Sequence, residues 1–245
     1  MPNPVVLNNE AHRRLRIITA RGAAYGEAVN FVPVIANELR GLAVNYPVCL
    51  MKDPETGQFG LFALLGFEAG ENLFLRGRRW SASYIPMHVR RQPFMAGFSA
   101  NEHTDGASPK AVILIDMDSK RVQESEGEAL FAEDGGYSPY LRNISALLSS
   151  LVAGMESTKT FIDALSAHDL IEALQLNITL ASGEQKSYDG IYTVNEESLG
   201  ELSGIQLEQL HKKGYLQASH LMLASMGNIQ KLIDLKNRRR ENRKS

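Results

Sequence analysis

Between positions 46 and 65 the chain spells out a hairpin. Tyr46 to Met51 is an apolar run, Asp53-Pro54-Glu55-Thr56-Gly57 carries the residues of a turn, and Phe59 to Leu65 returns as a second apolar run. So short a link can join only antiparallel neighbours, because a parallel return needs a crossover of a dozen or more residues. Gly66 and Gly70 mark another turn, and Asn72 to Arg76 reads as a third strand, so an antiparallel meander is expected. The pattern recurs near the C-terminus. Leu174 to Leu180 alternates as a strand does, Ser182-Gly183-Glu184 turns, and Tyr188 to Val194 comes back.

Helical stretches follow each hairpin. Ser138-Pro139 reads as an N-cap and a first-turn proline. Behind it Leu141, Ile144, Leu147, Leu148, Leu151 and Val152 form a stripe at the helical period, predicting a helix to about Ala167, with or without a break at Gly154. Asn195-Glu196-Glu197 caps a short helix through Leu202. Two more helices are expected, one over about 203–211 and, past Gly214, one from Gln217 to Leu235. Pro33 opens an earlier helix carrying Val34, Ile35, Leu39 and Leu42, and Pro86 to Gln92 makes a turn or two ended by Pro93. Phe94 to Ser99 and Ala111 to Met117 are further strands around a polar loop at 101–110, and a short element sits at Ala129 to Phe131. The fold class is therefore α+β: a mainly antiparallel sheet built from hairpins or a meander, helices packed on it, and a helical C-terminus. Residues 1–30 read as an extended arm with one short strand near Arg16, residues 31–235 as the α+β domain, and residues 236–245 as a basic tail.

Composition narrows the class. At 44% hydrophobic and 22% charged, the 245 residues can bury a core of their own. Cys49 is the only cysteine, so no internal disulfide forms. No apolar run approaches the roughly 20 residues of a spanning helix, and the N-terminus lacks the basic and apolar regions of a secretory signal. A cytoplasmic location is the expectation. Charge is uneven: Lys236, Arg238, Arg239, Arg240, Arg243 and Lys244 against Glu241 give the last ten residues +5, on a chain whose net charge is -2. That tail has no aromatic side chain on which a base could stack, which argues against nucleic acid.

Two segments could carry chemistry. Asp116 and Asp118 follow the apolar run Val112 to Ile115. Residues two apart on a strand point the same way, so the pair could share a divalent cation and serve a metal-dependent enzyme acting on a peptide or sugar. The bland reading is a strand that ends in turn-forming aspartates. The second segment gathers Trp80, Tyr84, His88, Arg90 and Arg91. Guanidinium forks beside aromatic faces suit a carboxylate, a phosphate or a sugar acid; the alternative is that these groups brace the fold. Adjacent helical residues point about 100° apart, so the two arginines should not share one role. Elsewhere the histidines lack metal-site spacing, Cys49 lies inside an apolar strand, and no Gly-x-Ser-x-Gly elbow or phosphate loop appears. No cofactor is expected.

The second segment also carries a resemblance. Tyr46-Pro47, Leu64-Leu65-Gly66, Asn72-Leu73-Phe74, Trp80…Tyr84-Ile85-Pro86 and Arg90-Arg91-x-Pro93-Phe94 resemble the SapC family of bacterial proteins, named from a surface-layer locus. Ile115-Asp116-x-Asp118-Ser119, Gly127…Leu130-Phe131, Gly135…Tyr140-Leu141, Gly190-Ile191-Tyr192-x-Val194-Asn195 and Gly214-Tyr215-Leu216 extend it over about residues 30–235. The resemblance implies an accessory or binding protein associated with surface-layer or outer-membrane uptake and secretion loci. It brings no catalytic residue set. From the chemistry of the second segment, the expected partner is a protein or a small anionic ligand, met at Trp80, Tyr84, His88, Arg90 and Arg91.

Overall fold

A computed structural model describes residues 2–98 and 111–244; the expected polar loop at 101–110 lies outside them. In chain order the strands are β1 (Pro4–Val6), β2 (Arg16–Ile17), β3 (Phe31–Pro33), β4 (Val48–Lys52), β5 (Phe59–Leu64), β6 (Leu75–Arg76), β7 (Arg79–Trp80), β8 (Phe94–Phe98), β9 (Ala111–Asp116), β10 (Val122–Gln123), β11 (Glu128–Ala129), β12 (Ile171–Thr179) and β13 (Gln185–Val194). The helices are α1 (Leu39–Leu42), α2 (Met87–Arg90), α3 (Pro139–Ala167), α4 (Glu196–Gly200), α5 (Gly204–Lys212), α6 (Tyr215–Ser225) and α7 (Asn228–Lys244). The class is α+β with antiparallel sheets, as the hairpins require.

Contacts divide the chain into two units where the sequence suggests an arm and one body. The first comprises residues 1–27, 77–79 and 87–153. It holds the antiparallel sheets β1-β9-β8 and β10-β2-β11. The expected arm is part of it: β1 pairs with β9 (Val5 opposite Ile115), and Leu15 and Ile17 are buried with Phe94, Ile115, Leu130, Leu141, Ile144 and Leu148 in one apolar cluster. Ser138 caps α3 as expected, its Oγ accepting from the Leu141 N–H at 3.1 Å.

The second unit comprises residues 28–76, 80–86 and 154–245. Its five-stranded antiparallel sheet has the order β12-β13-β4-β5-β3. Both expected hairpins are present. Asp53 closes the first, its Oδ1 accepting from the Glu55 and Thr56 N–H groups at 3.0 and 2.7 Å, with Gly57 at φ 69°. The outer neighbour of β5 is β3, not the expected third strand of a meander. The Asn72 side chain accepts from the Phe74 N–H at 3.0 Å and bends the chain, so only Leu75 and Arg76 stay extended. Pro33, expected to start a helix, instead ends the edge strand opposite Phe62, where its missing N–H leaves no ladder bond unmade. The helix begins later, as a 3-10 turn at Ala36–Glu38 running into α1.

Helix α6 packs on β4 and β13, tied to the sheet where Ser225 Oγ accepts from the Val48 N–H at 2.9 Å. The single helix expected over 217–235 is two. The break at Met226-Gly227 is held by Asn228, whose amide donates to the carbonyls of Ala43 at 2.7 Å and Ser225 at 3.1 Å. Helix α7 then continues through the basic residues to Lys244.

Candidate functional site

The segment from Trp80 to Arg91 is shared between the units. Trp80 and Tyr84 belong to the second; His88, Arg90 and Arg91 belong to the first.

In the second unit both aromatic residues are anchored by their polar ends. Trp80 Nε1 donates to the Tyr46 hydroxyl at 2.7 Å, and Tyr46 in turn donates to the Tyr84 carbonyl. The Tyr84 hydroxyl donates to Glu38 Oε1 at 2.9 Å, while Glu38 Oε2 accepts from the Ile35 N–H at 3.2 Å. Tyr46 is fully buried, which pushes its phenol well above the usual range, so it stays a donor at any physiological pH. The Tyr84 ring lies on the backbone of Gly41, where a Cβ would come within 3.0 Å of it. Trp80 and Tyr84 are each only partly buried.

In the first unit the single turn α2 sorts its side chains by the helical step. Val89 points inward at 3% exposure, Arg90 points to solvent, and Arg91 turns back on the turn itself. Arg91 Nη1 donates to the Phe94 carbonyl at 2.6 Å and Nε to His88 Nδ1 at 3.3 Å. Burial, and then the Arg91 charge, push the His88 pKa down to about 4, so its Nδ1 keeps the lone pair this bond needs. The two arginines therefore divide as the 100° step requires: Arg91 braces, and Arg90 has no hydrogen-bond or ion-pair partner among the described residues.

The two aspartates behave as a strand end. Asp116 Oδ1 accepts from the Asn3 N–H at 2.8 Å and the Asp118 N–H at 3.2 Å, closing the turn that follows β9, while Asp118 is exposed. Among the described residues no group of three or more His, Cys, Asp or Glu side chains is placed to hold a metal ion. Cys49 is buried within β4, and burial raises its thiol pKa to about 12, far from a nucleophile's.

A scan of family models matches SapC over residues 7–232. The chain belongs to the SapC family. No curated protein and no solved structure matches this SapC chain. No helix among the described residues is long and apolar enough to cross a membrane.

Sequence reasoning missed three polar clusters of this SapC protein because each joins residues far apart in the chain. In the first unit Glu27, 1% exposed, accepts from Arg121 Nη2 at 2.6 Å, Arg21 Nη1 at 2.8 Å and the Gly22 N–H at 2.8 Å. Arg121 also donates to the carbonyls of Ile18 and Ala20 and lies over the Tyr25 ring. In the second unit the basic end of α7 is paired: Lys236 with Glu71 at 2.6 Å and Glu68 at 3.0 Å, Arg240 with Glu184 at 2.5 Å, and Arg239 with the carbonyls of Asn72 and Leu75 at 3.0 Å each. The third cluster, also in the second unit, is Lys231, Asn45 and Ser83. No motif spacing signals any of them.

Proposed function

We propose that this SapC-family chain is a non-catalytic accessory protein of the cytoplasm, serving surface-layer or outer-membrane uptake and secretion systems by binding a protein partner or a small anionic ligand. The observation that carries the reading is Arg90, a guanidinium held out from a turn whose other polar groups are committed to bracing it. In the first unit Arg90 is the proposed contact, and His88 and Arg91 hold the turn that presents it. In the second unit Trp80 and Tyr84 are proposed as ring surfaces whose polar ends are already satisfied. The Asp116 carboxylate spends one oxygen on backbone N–H groups, which favours its use as a turn over its use as a metal ligand.

Titration with sodium polyglutamate tests the reading. Arg90→Ala should weaken binding about fivefold or more with an unchanged melting temperature, because an exposed, unpaired side chain contributes little to stability. Arg91→Ala should lower the melting temperature, since it removes the bond to Phe94. Binding that is indifferent to Arg90 would remove the proposed contact. Heat on magnesium titration that disappears in Asp116→Asn would instead favour the metal-dependent reading over the turn.

A further inference from the structure

Most basic side chains of α7 with a resolved partner face a carboxylate or a pair of carbonyls; Lys231 faces neither. Its Nζ donates to Asn45 Oδ1 at 2.9 Å and stands 5.8 Å from the centre of the Phe74 ring. The acid nearest in sequence, Asp234, accepts from Gln230 at 3.0 Å instead. Burial alone lowers the Lys231 pKa, with no carboxylate holding it up.

Asn45 is 6% exposed and both ends of its amide are used, Oδ1 by Lys231 and Nδ2 in a 2.7 Å bond to Ser83 Oγ. The orientation is forced, since the flipped amide would set an NH2 group against an ammonium. Ser83 Oγ therefore accepts, which leaves its O–H free to donate, and Ser83 is exposed. Lys231 has three N–H bonds and gives one to Asn45. The cluster thus holds surplus donors and a positive charge with no carboxylate beside it, so a ligand that accepts hydrogen bonds and carries negative charge would complement it.

We infer that Lys231 and Ser83, set by Asn45, form a binding site for the carboxylate of a small organic acid. One ammonium and one hydroxyl match the two oxygens and single charge of a carboxylate; a phosphate dianion would call for a second cation. The site lies in the second unit and is independent of Arg90.

Trace acetylation of the intact protein, read by mass spectrometry at each lysine, tests it. Sodium benzoate at about 20 mM should slow acetylation of Lys231 about threefold or more against sodium chloride of equal ionic strength, as mass action at a site of millimolar affinity requires. Exposed Lys212 should be unaffected. Ser83→Ala should lose most of the protection, with a modest drop in melting temperature because it also removes the acceptor of the Asn45 Nδ2 bond. An unchanged Lys231 rate, or equal protection in Ser83→Ala, would overturn the site. Protection by inorganic phosphate but not by benzoate would overturn its assignment to carboxylates.

Discussion

Gly154 sits in the middle of the 29-residue helix α3, where glycine ordinarily weakens a helix by about 1 kcal/mol relative to alanine. Gly154→Ala should nevertheless destabilise the second unit. A Cβ built there would lie 2.3 Å from Ile35 Cδ1 and 3.2 Å from Ile35 Cβ, too close for either atom. Ile35 cannot swing aside: it is 2% exposed and β-branched. The neighbouring backbone is pinned as well, because Thr158 Oγ1 accepts from the Ala36 N–H at 2.8 Å while donating to the Gly154 carbonyl at 2.6 Å. Overpacking of this kind costs ~1–3 kcal/mol against the ~1 kcal/mol helix gain, so a net loss of about 1 kcal/mol is expected.

Trp80, the only tryptophan, belongs to the second unit, so its fluorescence during urea unfolding reports on that unit. Ile35→Val removes the Cδ1 atom and should cost ~1 kcal/mol alone. Combined with Gly154→Ala it should cost clearly less than the sum of the two, a coupling of about 1 kcal/mol. Gly204→Ala, where nothing lies within 4 Å, serves as the control and should be neutral or stabilising. If Gly154→Ala stabilises the protein, or if the two changes simply add, the close approach of α3 to Ile35 is refuted.

Two further outcomes follow from the first unit. Glu27→Gln leaves Arg121, 2% exposed, without its counter-charge and should cost ~3 kcal/mol, seen as faster amide exchange across β2 and β10; adding Arg121→Met should recover much of the loss. His88 titrates near 4 when folded and near 6.5 when unfolded, so the unfolded chain takes up its proton first. The stability difference between the wild type and His88→Gln should therefore be constant above about pH 6.5, shift against the wild type as pH falls toward about 4, and level off below. A flat difference across that window would show that His88 is not buried as described.

The hairpins, the caps at Ser138 and Asn195, and the long helix α3 were legible because each is decided by residues within a few positions of one another. The same locality explains the misreadings. Pro33 is a good helix start and a good edge-strand end, and only the presence of β5 beside it selects the strand. Leu15 and Ile17 read as part of an arm because their partners, Leu130 and Ile115, are a hundred residues away.

At the candidate site, residue order is enough to show which side chains cluster in the chain, Trp80 through Arg91, and that two successive arginines must face different ways. Tertiary structure alone decided which of them is free, because the Phe94 carbonyl and His88 Nδ1 that occupy Arg91 acquire their positions only when the turn is packed. It alone brought Lys231 to Asn45 across 186 positions of sequence. Sequence fixes what each group can donate, accept or carry as charge, whereas burial and long-range packing settle which of those capacities remain unspent.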